Sequence, residues 1–457
     1  MTETGKRGAG LAGMLPAAVG WALVALGLWS TLRGLGRPVG AYDEGILLTD
    51  AYLVSLGQVP YRDFYSNYPP GAFLAIAALW KVFGISVGVE RALGVAAHLA
   101  VAVGAGWVAG LLRGTRFSAP TAGVVLVWLA WLGASAYAWL PALAFAVLAC
   151  GLILRAAVRP ERAAWVVAGA AVGVVGCFRH DLFVYFTVGL VALGALWVLA
   201  VRRLEVTRGD WVSLGWLSLG ATLPLAALWL PTLALAGVRP VVEDLYLTQV
   251  QHVMPARVLP MPELSPLVAL PPLPFPLPAF IARGYEGAVA LTLVGPALAL
   301  LALALGPRLG LVGRLGPALL LVLSIAVIPQ MAGRSDPYHS FLTTTPALLL
   351  FCAIVESLGR GPGLVHAVGV AAAVAVLGIP VSMQLQRPPP PESAAWQATY
   401  PRYGSVPEPE PSRQPVLEFI ATHTTPGEPI FVGVADHSRI FVSEMDLYFF
   451  AERPGAT

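Results

Sequence analysis

Charge is scarce in this chain. Only 12% of its 457 residues are Asp, Glu, Lys or Arg, where a soluble protein carries about a quarter. The net charge of +3 is too small to point to nucleic acid as a partner. Cysteine is scarcer still. The three cysteines, Cys150, Cys177 and Cys352, all lie within or at the ends of apolar stretches, and none belongs to a Cys-x-x-Cys pair. Neither a disulfide framework nor a thiolate zinc site is supported. A Gly-rich phosphate loop is missing, and the arginine-bearing loops are a few residues long. Direct use of a nucleotide-sugar and ATP-driven transport both need a soluble nucleotide-binding domain, so both are disfavoured. No internal repeat is evident.

Apolar residues are what the chain has instead: 57% are hydrophobic and the mean hydropathy is +0.74. Its solvent is mostly lipid. A spanning helix needs roughly 20 apolar residues, and on that criterion there are about eleven spans. They cover residues 15–32, 89–112, 119–136, 140–157, 163–177, 182–201, 211–236, 287–305, 315–331, 341–358 and 364–383. The first follows a short basic start with Lys6 and Arg7 and reads as a retained helix rather than a cleaved leader. Every second loop is rich in arginine: Arg113 and Arg116, Arg159 and Arg162, Arg202, Arg203 and Arg208, Arg308 and Arg314, and Arg360. The intervening loops carry Asp43, Glu44, Asp50 and Asp63, then Glu243, Asp244 and Glu263, then Asp336. By the positive-inside rule the N-terminus faces the cytoplasm of a cell membrane and the tail faces outside.

The expected fold class is therefore an all-α polytopic membrane protein with a small extracytoplasmic α/β appendage. Residues 1–383 form the membrane domain, 384–413 a proline-rich linker, and 414–457 the appendage, which stops abruptly at Thr457. In the appendage, Gln414–Thr424 looks helical and Ile430–Val434 reads as a strand. Two outer loops are too long to be connectors. Residues 33–88 contain a helix-like stretch with Asp43 as N-cap and Gly57 just past its end, then an apolar run from Pro70 to Phe83 that lies in the interface. Residues 237–286 are dense in proline and read as extended and irregular. Trp128, Trp131 and Trp139 are interfacial or packing aromatics.

Chemistry gathers on the outer face. Adjacent Asp43 and Glu44 can supply a general base and a neighbour that positions an acceptor or a metal, although helix capping and solvation alone would also explain such a pair. Arg179, His180 and Asp181 follow one another between apolar segments. Charges near the membrane core cost on the order of 2.5–3.5 kcal/mol each, so this trio is functional or mutually paired. Arg179 can bind a phosphate bidentately, and Arg334, Asp336 and His339 are read in the same way. His180 and His339 with Asp181 and Asp336 could also hold zinc or a harder divalent metal, but no close ligand spacing demands it, and metal use stays open. Asp63, Tyr68, Tyr246, His252 and Arg257 are candidates for acceptor or loop contacts.

Several segments occur in a telling order: Ala41-Tyr-Asp-Glu-Gly-Ile-Leu-Leu48, Gly57-Gln-Val-Pro-Tyr-Arg-Asp-Phe64, Tyr68-Pro-Pro-Gly71, Lys81-Val-Phe-Gly84 and Glu90-Arg91. This order resembles the first loop of GT-C membrane glycosyltransferases, which include protein O-mannosyltransferases and the aminoarabinose transferases that modify lipid A. Phe178-Arg-His-Asp181 falls where that superfamily places polar site residues. Arg257-Val-Leu-Pro-Met-Pro262, Gly333-Arg-Ser-Asp-Pro-Tyr-His339 and Asp446-Leu-Tyr-Phe-Phe-Ala-Glu-Arg-Pro454 resemble motifs of bacterial members. The resemblance implies a glycosyltransferase fed by a polyprenyl-phosphate-linked sugar. Asp43 would act as base on an acceptor hydroxyl, Glu44 would match the motif's second acid, and polyprenyl phosphate would leave with inversion. The acceptor would be a glycan, lipid or protein. The chain departs from better-known members in having Arg179-His180-Asp181 where some carry lysine or tryptophan motifs. Two other classes compete: a flippase or transporter for a lipid-linked glycan, and a receptor or scaffold built on the proline-rich loop and tail.

Overall fold

The structure is a computed structural model, and it describes residues 3–40, 42–200, 207–257, 259–264, 284–305, 310–358, 413–433 and 444–455. Most of these residues are helical, and there is no sheet among them. Lipid offers no partner to backbone N–H and C=O groups, so an apolar chain of this kind must satisfy them within helices. In order, the helices are α1 (Glu3–Leu32), α2 (Asp43–Ser55), α3 (Gly71–Phe83), α4 (Val87–Arg113), α5 (Ser118–Leu129), α6 (Trp139–Val158), α7 (Arg162–Phe178), α8 (His180–Ala200) and α9 (Arg208–Ala236). A short α10 (Val238–Val242) runs through two π-helical turns, Glu243–Leu247 and Gln249–Val253, into α11 (Met254–Arg257). Then come α12 (Gly284–Leu305), α13 (Gly310–Gly333), α14 (Pro337–Thr343), α15 (Thr345–Leu358), α16 (Gln414–His423) and α17 (Asp446–Ala451).

Seven helices among the described residues are long and apolar enough to cross a membrane: Ala18–Gly36, Val87–Arg113, Trp139–Val158, His180–Leu199, Arg208–Ala236, Gly284–Ala304 and Gly310–Gly333. The chain is a multi-pass membrane protein. Other expected spans are shorter or broken. The apolar run at 119–136 gives only α5 and one further turn, because Gly133 takes φ +91° and ends it. The run at 163–177 gives α7, and the run at 341–358 divides at Thr344 into α14 and α15. The run at 364–383 lies outside the described residues.

Small residues set the closest helix crossings. On α7, a Cβ at Gly169 would stand 2.0 Å from the Leu217 carbonyl oxygen, and on α9 one at Gly220 would stand 2.1 Å from that of Val166. Only glycine lets two membrane helices approach so closely. The main core lies among α4, α5, α6 and α13, where Trp128 is fully buried, stacks on Phe341 at 4.8 Å and donates its indole N–H to the Phe341 carbonyl at 3.0 Å. Trp128, Trp131 and Trp139 are all buried packing residues.

A second core joins α2 and α3 to the tail. Phe449 stacks on Trp80 at 5.5 Å, and Leu417, Leu447 and Phe450 are buried with it. Within the described residues the tail has two helices and a single bridge between Ile430 and Gly455, with no sheet. The expected strand is reduced to that bridge as far as Gly433, and Val434 lies outside the described residues.

Candidate active site

Asp43 opens α2 but does not cap it. The N-cap position is Tyr42, without a side-chain cap, and the Asp43 carboxylate accepts a hydrogen bond from the Tyr68 hydroxyl at 2.6 Å instead. Gly57 does take the place just past the end of α2, with φ +88°. Glu44 turns the other way. It is 3% exposed, paired with Arg91 at 2.8 Å, and accepts the Gly40 N–H at 2.8 Å. Arg91 also reaches the carbonyls of Leu35 and Arg37 at 2.7 and 2.6 Å. This buried knot ties the first turn of α2 to the end of α1 and to α4.

Tyr68 is aimed by its neighbours. Its carbonyl accepts the Tyr61 hydroxyl at 2.6 Å, and its N–H donates to Ser66 Oγ at 3.3 Å. Gly71, three residues on, packs against the end of α7, where a Cβ would stand 2.3 Å from the Cys177 carbonyl oxygen. That close approach brings the Tyr68 loop to the break between α7 and α8. There Arg179 adopts an extended conformation (φ −147°, ψ 101°). Its Nε and Nη2 grip the Asp181 carboxylate at 2.9 and 2.5 Å, and Nη2 also meets Gln330 Oε1 at 3.2 Å. Its guanidinium lies over the Trp139 ring at 5.0 Å and the Tyr68 ring at 6.0 Å. Asp181 holds one edge of the guanidinium, and among the described residues Nη1 has no hydrogen-bond partner.

The third strip comes from the end of α13. Asp336 caps α14, accepting the His339 N–H at 3.0 Å, His339 Nδ1 at 2.8 Å and Arg334 Nε at 2.8 Å. Burial pushes the Asp336 carboxyl up, but the His339 contacts and Arg334 outweigh it and hold it below the usual carboxylate range. The backbone of Arg334 bridges to Leu259, so the Arg257–Pro262 and Gly333–His339 motifs lie side by side.

These strips enclose a cavity of about 350 Å³. Asp43, Tyr68, Arg179, His180, Asp181, Arg334, His339 and Tyr246 line it, as do Asn67, Gln249 and Gln330. Residues from the first loop, the α7–α8 break, the 243–254 segment and the α13–α14 corner thus meet in one place. Apolar Val184, Tyr185, Val250 and Met254 complete the wall, all of them exposed. His180 packs against Tyr246 at 5.0 Å, and its Nδ1 is buried without a hydrogen-bond partner among the described residues.

Four sequence candidates are not at the cavity wall. Glu44 is in its knot, and Asp63 is held by Arg62 at 2.8 Å and the Val59 N–H at 2.8 Å. Asp336 stands behind Arg334 and His339, and His252 lies on the exposed side of its turn. The Arg257 side chain is outside the described residues. Among the described residues, no three His, Cys, Asp or Glu side chains are grouped to hold an ion. Gln330, Gln249 and Asn67 were missed by sequence reasoning because an uncharged amide in a loop or helix end carries no signal of cost.

One network sits behind the wall. Ser66 Oγ donates to Asp50 at 2.7 Å, while the Ser66 N–H donates to Asp244 at 3.1 Å. Burial pushes the Asp50 carboxyl up to about 8, against the Ser66 hydrogen bond and with help from Asp244. Burial raises Asp244 to about 6.

The comparison with solved structures shows a shared fold. The chain is similar to ArnT from Cupriavidus metallidurans bound to undecaprenyl phosphate, with a TM-score of 0.52 and 16% identity over 97% of this chain and 85% of that one. It is likewise similar to the apo state of that ArnT, with a TM-score of 0.51 and 15% identity over 96% and 86%. A more distant likeness, with a TM-score of 0.47 and 12% identity over 89% of this chain and 58% of the other, is to the archaeal oligosaccharyltransferase AglB from Archaeoglobus fulgidus. No family model and no curated protein matches the sequence.

Proposed function

We propose that this chain is an integral membrane glycosyltransferase that moves a sugar from a polyprenyl-phosphate donor to an acceptor on the extracytoplasmic face. The observation that carries the reading is the cavity that Asp43 shares with two guanidiniums, Arg179, held by Asp181, and Arg334, with apolar residues at the wall. The structural neighbour ArnT binds undecaprenyl phosphate, which agrees with a lipid phosphate as the ligand for those cations. Arg179 and Arg334 hold the phosphate, and Asp181, Gln330 and Asp336 hold the arginines. The acceptor hydroxyl gives its proton to Asp43 as its oxygen bonds to the anomeric carbon. The bond from that carbon to the phosphate oxygen breaks on the opposite face, its electron pair leaves with polyprenyl phosphate, and the configuration inverts. Guanidinium charge placed where leaving-group charge develops lowers the barrier. Glu44 acts at one remove, by fixing the first turn of α2 through Arg91.

The wider arrangement follows the same reading. Eleven spans cross the cell membrane, α5, α7, α15 and residues 364–383 adding to the seven long helices. The N-terminus is cytoplasmic and the tail extracytoplasmic. Residues 1–383 are the catalytic membrane domain, 384–413 a linker, and 414–457 an outer appendage.

Asp43→Asn tests the base. It keeps the side chain's size and its bond to Tyr68 while removing the proton acceptor. Transfer should fall by about 10²–10⁴-fold, with thermal stability and polyprenyl-phosphate binding unchanged. A purified Asn variant with full transfer activity removes Asp43 from that role.

A further inference from the structure

A smaller recess of about 30 Å³ opens on another side of Asp43. It shares Asp43, Tyr68, Arg179 and His339 with the main cavity, but its own walls are aromatic: Tyr137, Trp139 and Tyr338. Three elements supply these rings, the chain just before α6, its first turn, and α14. Tyr137 and Tyr338 lie 5.8 Å apart at a 60° tilt, and Tyr338 leans on Trp131 at 5.2 Å. Trp139 is 4% exposed, and its indole N–H has no hydrogen-bond partner among the described residues. A buried indole N–H ordinarily has one, so the wall contains an unmet donor.

We infer that this recess is a specificity subsite that receives an uncharged hydroxyl-bearing edge of the donor's sugar ring. The inference rests on the donor reading above and names what that donor carries. Space for about two water-sized groups takes a ring substituent but not a whole ring, so the ring lies at the junction of the two cavities. There its anomeric carbon is within reach of Asp43, and its phosphate extends toward Arg179. Aromatic faces stack on the C–H faces of a sugar, and tyrosine hydroxyls can exchange hydrogen bonds with its hydroxyls. A cage of aromatic rings would also attract a cation, but the Arg179 guanidinium already stands in this wall and repels one. The carboxylate in this wall, Asp43, is already engaged by the Tyr68 hydroxyl. The charge at the junction thus favours a neutral sugar over an amino sugar.

The test uses the full chain in nanodiscs and three short-chain polyprenyl phosphodiesters of equal phosphate charge: the methyl ester, a neutral hexosyl ester and a 4-amino-pentosyl ester. Calorimetry gives the affinity of each for wild type, Tyr338→Phe and Tyr338→Ala. Tyr338 is half-exposed and absent from the main cavity's wall, so both variants should fold and bind the methyl ester as wild type does. In wild type the hexosyl ester should bind about tenfold more tightly than the methyl ester, the size of one or two aromatic contacts. Tyr338→Ala should lose most of that ratio and Tyr338→Phe part of it, while the amino ester should bind no better than the methyl ester. A ratio that survives Tyr338→Ala overturns the subsite, and an amino ester as tight as the hexosyl ester overturns its neutral preference. Failure of wild type to bind even the methyl ester defeats the donor reading and this inference with it.

Discussion

Asp50 is 1% exposed, and the chain around it accepts the burial of an acid by keeping it protonated. A carboxyl whose folded-state value is raised stabilises the fold least where it must ionise. The contribution is full below the unfolded value near 4 and is lost as pH rises through about 8. Asp244, raised to about 6, loses its share earlier in the same direction. Wild-type melting temperature should therefore fall between about pH 4 and pH 8, and Asp50→Asn, which still accepts from Ser66, should flatten that fall. A slope unchanged in the variant would contradict the assignment. At this scale the charged members of the site were legible, because Asp43, Arg179, Asp181, Arg334 and His339 stand out in a chain with so little charge. Their partners were not. Nothing in the sequence says that Glu44 faces Arg91 while Asp43 faces Tyr68, since adjacent helix residues point about 100° apart and only the packing of α4 and the Tyr68 loop decides which side is the cavity. Tyr137 and Tyr338, like Gln330, carry no charge and gave no signal.

The helix that carries Asp43 is held by the tail as much as by the membrane domain. Thr49 donates to the Met445 carbonyl at 2.6 Å, Arg413 pairs with Asp446 and Glu444, and Tyr52 meets Phe449 edge-on at 6.2 Å. Gly45 sits against the start of α17, where a Cβ would stand 2.8 Å from the Asp446 N. Gly45→Ala must lift α17 from α2 by a few tenths of an ångström. Overpacking of this kind costs about 1–3 kcal/mol, read as a lower melting temperature and faster cleavage of the tail by added protease. Turnover should fall too, with polyprenyl-phosphate binding kept, since Arg179 and Arg334 are on other elements. Unchanged turnover in a destabilised variant would make the tail a stabiliser only. The Asp446–Pro454 motif was legible as a segment, but its seat on α2 was not. A contact nearly 400 residues away in sequence leaves no local periodicity.

For the whole molecule, hydropathy found the apolar segments, and the structure decided which of those among the described residues are single long helices. A window of apolar residues reads the same whether the helix continues or stops, and the stops at Gly133 and Arg179 come from backbone geometry and close packing. Orientation is a separate matter, read from the alternation of arginine-bearing and acid-bearing loops. Reporter fusions at Gly5 and Trp396 should report opposite sides of the membrane, cytoplasmic and external. Both on one side would put the cavity's topology in error. The account rests finally on what occupies the cavity, and the most direct test is an experimental structure of the full chain in lipid with added polyprenyl phosphate. The prediction is density for a phosphate within hydrogen-bond distance of Arg179, near Arg334 and on the Asp43 side of the cavity, with the lipid chain leaving past Val184 and Met254. A headgroup bound away from both arginines, or an empty cavity at saturating lipid, would contradict it.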